Sequence, residues 1–349
     1  MTRPLACIRA AAAGLLLWAT LATAAFAADD VSVGTIGTIT DSGFYIAAKL
    51  GYFKDEGLNV TFTRFDNAGE MIPSLGRGQL DVGSGAVPVG LYNAVERGIG
   101  IKIVADKARN ATGYPLGAFM VRKALITSGK FKTLHDLKGL RIAIVDRGNS
   151  EEWLLSRVLA RAGLTFSDVK VVHLPFVEQP AAFANGAIDA SVSAEPAVTR
   201  IVESGAGVAY EPESDFAPGG IMESAVTIFS DEFRTKRPKV AERFLRALVR
   251  AFRFYQGAVE GGHLVGPNAD VVISALTEYS NLKDPKLFRK IGAFAVDPNG
   301  ELDLHALQTV WDFFKDTGQI SGKVKVSDVV DMSLVKAAAA SLGPYRPSP

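Results

Sequence analysis

The sequence predicts an α/β protein of two similar lobes that face each other across a cleft, and three observations carry that expectation. Short β-branched runs alternate with amphipathic helices along most of the chain. One strand–turn–helix stretch, Gly139 to Ala162, is written out twice. Two crossings divide the copies, and a pair of crossings between lobes suits a hinge.

In that stretch, Leu140-Arg141-Ile142-Ala143-Ile144-Val145 reads as a buried strand, broken by Asp146-Arg147-Gly148-Asn149-Ser150. Ser150 is a candidate N-cap for a helix with apolar residues at Leu154, Leu155, Val158, Leu159 and Ala162. Such a helix begins with free backbone N–H groups aimed at whatever lies above the strand. Ser42 and Ser150 stand 108 positions apart (150 − 42), as do Tyr45 and Trp153, Lys49 and Arg157, Asp81 and Asp189, and Pro88 and Pro196. Two copies in one register describe a duplicated lobe, with helix N-termini lining the cleft from both sides.

In chain order, the first residues read as a targeting signal. Arg3 and Arg9 flank the start of an apolar stretch, and Ala25-Phe26-Ala27 offers a cleavage site before Ala28. Residues 1–27 are therefore expected to be a cleaved signal peptide, and the mature protein periplasmic. Cys7 is the only cysteine. A mature chain without it excludes disulfides, zinc–thiolate sites and cysteine nucleophiles. The remaining length, about 320 residues, suffices for two lobes with real cores. A formal net charge of +1 lacks the basic bias of a nucleic-acid partner, so none is expected.

Residues 31–36 alternate as a first strand, 38–43 form its polar turn, and Ser42 opens a helix with Ile46, Leu50 and Phe53 inside. Residues 57–62 read as a strand, 67–75 as a short helix, 81–86 as a strand entering a glycine-rich turn, and 87–96 as a helix. Strands at 101–104 and 117–121 complete the first part of lobe one, residues 28–122. Lobe two takes 123–215. The chain returns through Phe216-Ala217-Pro218-Gly219-Gly220 to a strand at 225–229, and 216–342 belong to lobe one. From Pro238 the pattern is helical, with an apolar stripe at Phe244, Leu248, Phe252 and Tyr255. Lys239, Arg243, Arg246, Arg250 and Arg253 make a basic stripe, read as a solvated face. Helices near 270–279, 304–315 and 329–340 are expected to pack back on lobe one, ahead of a loose tail, 343–349.

The stretch Tyr45-Ile46-Ala47-Ala48-Lys49-Leu50-Gly51-Tyr52-Phe53-Lys54-Asp55-Glu56-Gly57-Leu58 resembles the opening of a family of periplasmic solute-binding proteins. These serve importers for nitrate, taurine, alkanesulfonates and thiamine pyrimidine precursors. Gly78-Gln79-Leu80-Asp81-Val82-Gly83, Leu134-His135-Asp136-Leu137-Lys138-Gly139 and Glu195-Pro196 follow in that family's order. The resemblance implies a type II periplasmic-binding fold and a small-molecule ligand. It also implies an ABC permease with its ATPase as partner; no cofactor and a monomeric chain are expected. Ala194 stands where the family often has a large residue before the Glu-Pro pair, which leaves ligand size and stacking open.

Candidate ligand contacts in lobe one are Thr38, Asp41, Ser42 and Phe44 at the first turn, Ser84 and Gly85 at the second, and Asn67. Capping and tight-turn chemistry explain several of these equally well. In lobe two, Arg147 beside Gly148 resembles an anion clamp, because forked guanidinium donors fit a carboxylate or sulfonate. Asn149 and Ser150 could add donors there. Glu195 either binds an amine or caps the next helix, and Phe176 and Trp153 either stack on a flat ligand or fill the core.

The reading is therefore a binding subunit for a small organic anion of sulfonate or carboxylate type. The alternatives are a pyrimidine or amine ligand, and a pyrimidine-synthesising enzyme on the same fold. His135, His173, His263 and His305 are scattered without metal-site spacing, and Gly83-Ser84-Gly85 lacks the spacing of a nucleophile elbow. No metal site and no catalytic residue are expected.

Overall fold

The computed structural model describes residues 28–347. The expected signal peptide and Cys7 lie outside the described residues.

Two five-stranded sheets organise the molecule. The first lobe opens with β1 (Asp29–Thr35), α1 (Ser42–Lys49), α2 (Tyr52–Asp55), β2 (Leu58–Arg64), α3 (Ala68–Gly76), β3 (Val82–Gly85), α4 (Val89–Glu96) and β4 (Ile101–Ala111). The second lobe runs through β5 (Gly117–Arg122), α5 (Lys123–Thr127), β6 (Arg141–Ile144), α6 (Ser150–Arg161), β7 (Lys170–His173), α7 (Gln179–Ala184), β8 (Ala190–Ala194), α8 (Ala197–Glu203) and β9 (Gly207–Pro212). The chain then re-enters the first lobe with β10 (Ile221–Ser230), α9 (Asp231–Lys236) and the long α10 (Pro238–Gln256). It ends with α11 (Ala269–Tyr279), α12 (Pro285–Lys290), α13 (Leu304–Asp316), α14 (Val326–Val329) and α15 (Ser333–Ser341).

The sheet orders are β2-β1-β3-β10-β4 and β7-β6-β8-β5-β9. In each, three parallel strands form one side, and the fourth position is filled by a strand antiparallel to its neighbours. The two lobes thus share one topology, as the duplicated sequence implied. Asp81 and Asp189 occupy equivalent places: each carboxylate accepts the backbone N–H of the adjacent first strand, from Ser32 at 2.9 Å and from Arg141 at 3.1 Å. Tyr45 and Trp153 are likewise both buried.

One boundary moves. The strand at 117–122 belongs to the second sheet, pairing β8 and β9, and not to lobe one as the sequence suggested. The first crossing therefore lies at 112–116, between β4 and β5. The reason is topological: β5 fills in the second sheet the slot that β10 fills in the first, and a local strand pattern carries no information about which sheet receives it.

The cores also depart from a simple lobe-by-lobe division. One cluster joins α1, α10, α11 and α15 behind the first sheet. A second is continuous across both sheets, from Ile103 and Ile228 through Phe119 and Ile142 to Trp153 and Leu155. Helix α13 supplies Leu307, Val310 and Phe314 to this shared core and touches both β10 and α6. It bridges the lobes, whereas α11 and α15 pack on lobe one as expected.

The basic stripe of α10 is engaged over most of its length. Arg243 reaches Asp29 and the Glu56 carbonyl, Arg246 grips both oxygens of Glu56, and Arg250 pairs with Asp55 over the Tyr52 ring. Arg253 donates to Asn299 at 2.7 Å and to the Gly343 carbonyl at 2.8 Å. That bond, with Tyr345 against the same guanidinium, ties down the start of the tail expected to be loose. Among the described residues no helix is long and apolar enough to cross a membrane.

Candidate functional site

The C-terminal ends of the parallel strands in both sheets carry turns that meet across a cavity of about 460 Å³. Lobe one contributes Thr38, Asn67, Ala86 and Asn110 to its wall, and lobe two contributes Arg147, Gly148, Glu151, Phe176, Glu195 and Glu213. The lobes touch beside it. The Val89 N–H donates to the Gly148 carbonyl at 2.9 Å, and the Gly292 N–H donates to Glu195 at 3.0 Å. A φ of +72° at Gly148, with Val89 in van der Waals contact of an added Cβ, suits glycine at this contact.

Of the twelve residues proposed from sequence, Thr38, Asn67, Arg147, Gly148, Asn149, Ser150 and Glu195 line the cavity. Asp41, Ser42, Phe44, Ser84 and Gly85 do not. Asp41 is fully buried. One of its oxygens accepts the backbone N–H groups of Ile36, Gly37 and Thr38 at 2.8–3.1 Å. The other takes Ser84 Oγ and the buried ammonium of Lys107. Asp41 therefore builds the turn instead of meeting a ligand. Ser84 is spent on Asp41 and on the Gly34 carbonyl, and Ser42 Oγ donates to the Ile39 carbonyl. Phe44 lies against Phe244 in the core, and Trp153 is buried in the shared one.

In lobe two the cap is Asn149, not Ser150: its side chain accepts the N–H groups of Glu151 and Glu152. Arg147 has a side chain 70% exposed, 3.6 Å from Glu152. Glu195 accepts the Thr199 N–H at 3.0 Å and Thr199 Oγ1 at 2.9 Å besides Gly292, so it caps α8 and ties it to the C-terminal region. Burial outweighs these donors and raises its carboxyl above the usual glutamate value.

Three groups that the sequence reading did not select stand out. Glu213, in the turn 213–216 that leads out of lobe two, and Asn110, near the end of β4, are each 3% exposed. Asn110 Nδ2 donates to Glu213 Oε2. Asn110 Oδ1 and Glu151 Oε2 are buried without a hydrogen-bond partner among the described residues. Burial pushes the Glu151 carboxyl up to about 7, with the Asp146 charge adding to it. Burial raises Glu213 well above its ordinary value, and the charge of Glu151 raises it further. Only an unusually polar residue late in a strand, Asn110, and an acidic run before the crossing hinted at this cluster in the sequence. Among the described residues the wall carries Asp66, Asp146, Glu151, Glu195 and Glu213 against one cation, Arg147. Among the described residues no cluster of His, Cys, Asp and Glu could hold a metal ion.

Residues 39–257 match the family model described as NMT1/THI5 like. A putative binding protein of Brucella abortus is 29% identical over 235 residues, covering 65% of this chain and 68% of that protein. A putative aliphatic sulfonates-binding protein of Bacillus subtilis is 26% identical over 315 residues, 85% of each chain. A 4-amino-5-hydroxymethyl-2-methylpyrimidine phosphate synthase of Aspergillus parasiticus is 25% identical over 224 residues, 59% of this chain and 60% of that one. The periplasmic nitrate-binding protein NrtA from Synechocystis PCC 6803 superposes with a TM-score of 0.70 at 15% identity, over 91% of this chain and 92% of that one. The aliphatic sulphonate-binding protein SsuA from Escherichia coli gives 0.68 at 18% identity, over 87% and 92%. These structures share the two-lobe periplasmic-binding-protein fold.

Proposed function

The chain belongs to the NMT1/THI5-like family, and from that premise we propose that it is the solute-binding subunit of an ABC-type importer. It is exported to the periplasm, captures a small molecule between its lobes as a monomer and delivers it to a membrane permease and its ATPase. The observation that carries this reading is the cavity of about 460 Å³ walled by both lobes, whose turns meet directly at Val89 and Gly148. A ligand there contacts both lobes at once, so it stabilises the closed arrangement over any open one. Relatives named as binding proteins support binding without turnover.

The balance of wall charges turns the ligand reading from an anion toward the amine or pyrimidine alternative. Five carboxyl groups against one exposed, partnered arginine make a poor anion site. One relative's name favours the enzyme alternative.

The test is purification from the periplasm followed by native mass spectrometry, and a thermal-shift panel of sulfonates, carboxylates, nitrate, amines and pyrimidines. A ligand at about a hundredfold over Kd adds ~2.7 kcal/mol, a shift of several degrees. Chemical change of a bound compound would move the protein to the enzyme class. Intact residues 1–27 on native protein would defeat the export reading.

A further inference from the structure

Resting on that binding-protein reading, we propose that Glu151, Glu213 and Asn110 are the recognition end of the cleft, built for a small cation with an amidinium-type edge, two N–H donors on one carbon. The three groups line one cavity and offer acceptors almost exclusively. With both carboxyls ionised, the sole donor among them, Asn110 Nδ2, is already spent on Glu213. Asn110 Oδ1 and Glu151 Oε2 wait buried and unpartnered among the described residues. A buried acceptor left without a donor costs free energy, so the natural occupant is one that brings N–H groups.

Against the ionised carboxyls an anion finds no donor at this end and meets two like charges. An apolar ligand leaves the acceptors orphaned. A planar amidinium edge matches a carboxylate with two parallel N–H···O bonds and supplies the missing charge. The Glu213 carboxyl is backed by the β5 backbone, since a Cβ at Gly117 would collide with it. The carboxyl is thereby held in place before the ligand arrives, which lowers the ordering cost of binding.

Among the described residues no protein cation is free to do this job nearby. Arg109 on β4 is held by Asp106 and Glu223, Arg122 on β5 by Asp189, and Arg161 on α6 by Glu211 of β9. Lys315 of α13 donates to the Gly322 carbonyl. Asp146, beside α6, and Asp66 and Glu195, also on the wall, add charge of the same sign as the pair. Arg147, on the cavity wall, is largely exposed and lies beside Glu152. Burial and this like charge make the two carboxyls hold protons to a higher pH than ordinary glutamates. A bound cation takes the place of a proton, so binding releases up to one proton and tightens as pH rises.

The experiment is titration calorimetry of the mature chain with benzamidine and with benzoate, a matched pair of opposite charge and donor pattern. Benzamidine is expected to bind, about tenfold tighter at pH 8 than at pH 6 for a group titrating near 7. Its heat should differ between phosphate and Tris buffers by the proton released. Benzoate and methanesulfonate should not bind. Glu213→Gln and Glu151→Gln are each expected to weaken benzamidine at least tenfold. Whichever of the two keeps the wild-type circular dichroism decides the point.

Unchanged benzamidine affinity in a folded variant overturns the assignment. So does a protein that takes benzoate or methanesulfonate instead, although that result keeps the binding-protein reading. If no probe binds, native mass spectrometry of the periplasmic protein decides. A co-purified molecule with the two-donor edge supports the inference, and one without it overturns the inference alone. A chain that carries nothing and binds nothing overturns both.

Discussion

The two helix-entry turns facing the cleft stand at equivalent places in the duplicated lobes, yet they spend their polar groups in opposite ways. In lobe one, Asp41 precedes α1 and its buried carboxylate collects three backbone N–H groups, a buried hydroxyl and the buried Lys107 ammonium. In lobe two, the residue before α6 is Asn149, an uncharged cap serving Glu151 and Glu152. The carboxylate of the first turn is saturated. The second leaves a buried carboxylate oxygen of Glu151 unpartnered on the cavity wall. Duplication conserved the geometry of a helix opening, while the chemistry moved to one copy.

The largest effect expected from this contrast is on folding. Lys107→Ala leaves the Asp41 carboxylate buried without its cation, and breaking such a pair costs about 3–5 kcal/mol. Urea unfolding of the ligand-free chain reads it directly. A midpoint equal to the parent's would show that lobe one's turn does not rest on this pair. The double change Lys107→Met with Asp41→Leu should recover part of the loss in stability, because apolar replacements of a buried pair are often tolerated.

The next effect concerns pH and belongs to lobe two. Glu151 titrates near 7 in the fold against an ordinary glutamate value near 4.5. A raised carboxyl favours the fold fully below the ordinary value and loses that advantage as pH rises through the raised one. The ligand-free protein should therefore lose on the order of 1–3 kcal/mol between about pH 4.5 and 7 from this group. Glu151→Gln should make the slope in that window shallower when melting is followed against pH, with Asp106, Glu195, Glu213 and Glu223, also raised by burial, supplying the rest. A variant with the parent's slope would place the titration elsewhere.

A smaller effect compares the caps. Asn149→Ala removes an acceptor from two N–H groups at the start of α6 and should cost ~1 kcal/mol, within the usual range for caps. Ser150→Ala should cost less, since Ser150 is the first helical residue and not the cap. The reverse order would restore the assignment made from sequence.

These contrasts separate what the sequence discloses from what it hides. The duplicated register found the shared topology, the equivalent roles of Asp81 and Asp189, and the two helix openings at Ser42 and Ser150, because all of these are local patterns repeated at fixed spacing. Asn67 was legible as the cap it is, accepting the Glu70 N–H. The fate of Asp41 was not, since its partner Lys107 stands 66 positions away in a strand where a lysine would ordinarily face water. Glu213 and Asn110 meet through a separation of 103 residues, across the crossing that sends β5 into the second sheet. The α10 stripe looked solvated for the same reason: Glu56, Asp55 and Asp29 lie far off in sequence. Long-range pairing decides these sites, and residue spacing does not record it.

The smallest expected effect is the one on which the two lobes' ligand readings turn, Arg147→Ala. The guanidinium is 70% exposed and 3.6 Å from Glu152, so solvent screens most of its attraction. An exposed pair of this kind is worth about 0.2–1 kcal/mol to the fold. For a ligand held at the Glu151–Glu213 end, its loss should change affinity by less than about threefold, and it removes a like charge if that ligand is a cation. An anion clamp behaves differently. A charge-assisted hydrogen bond contributes roughly 1.5–3 kcal/mol, so the same substitution would weaken a sulfonate or carboxylate by ten- to a hundredfold. Glu213→Gln distinguishes the two from the other side, since it should strengthen an anion and weaken a cation. Calorimetric titration of both variants with the best compound from the thermal-shift panel gives the order of effects. A large loss in Arg147→Ala with none in Glu213→Gln would return the site to lobe two's exposed turn and the ligand to an anion.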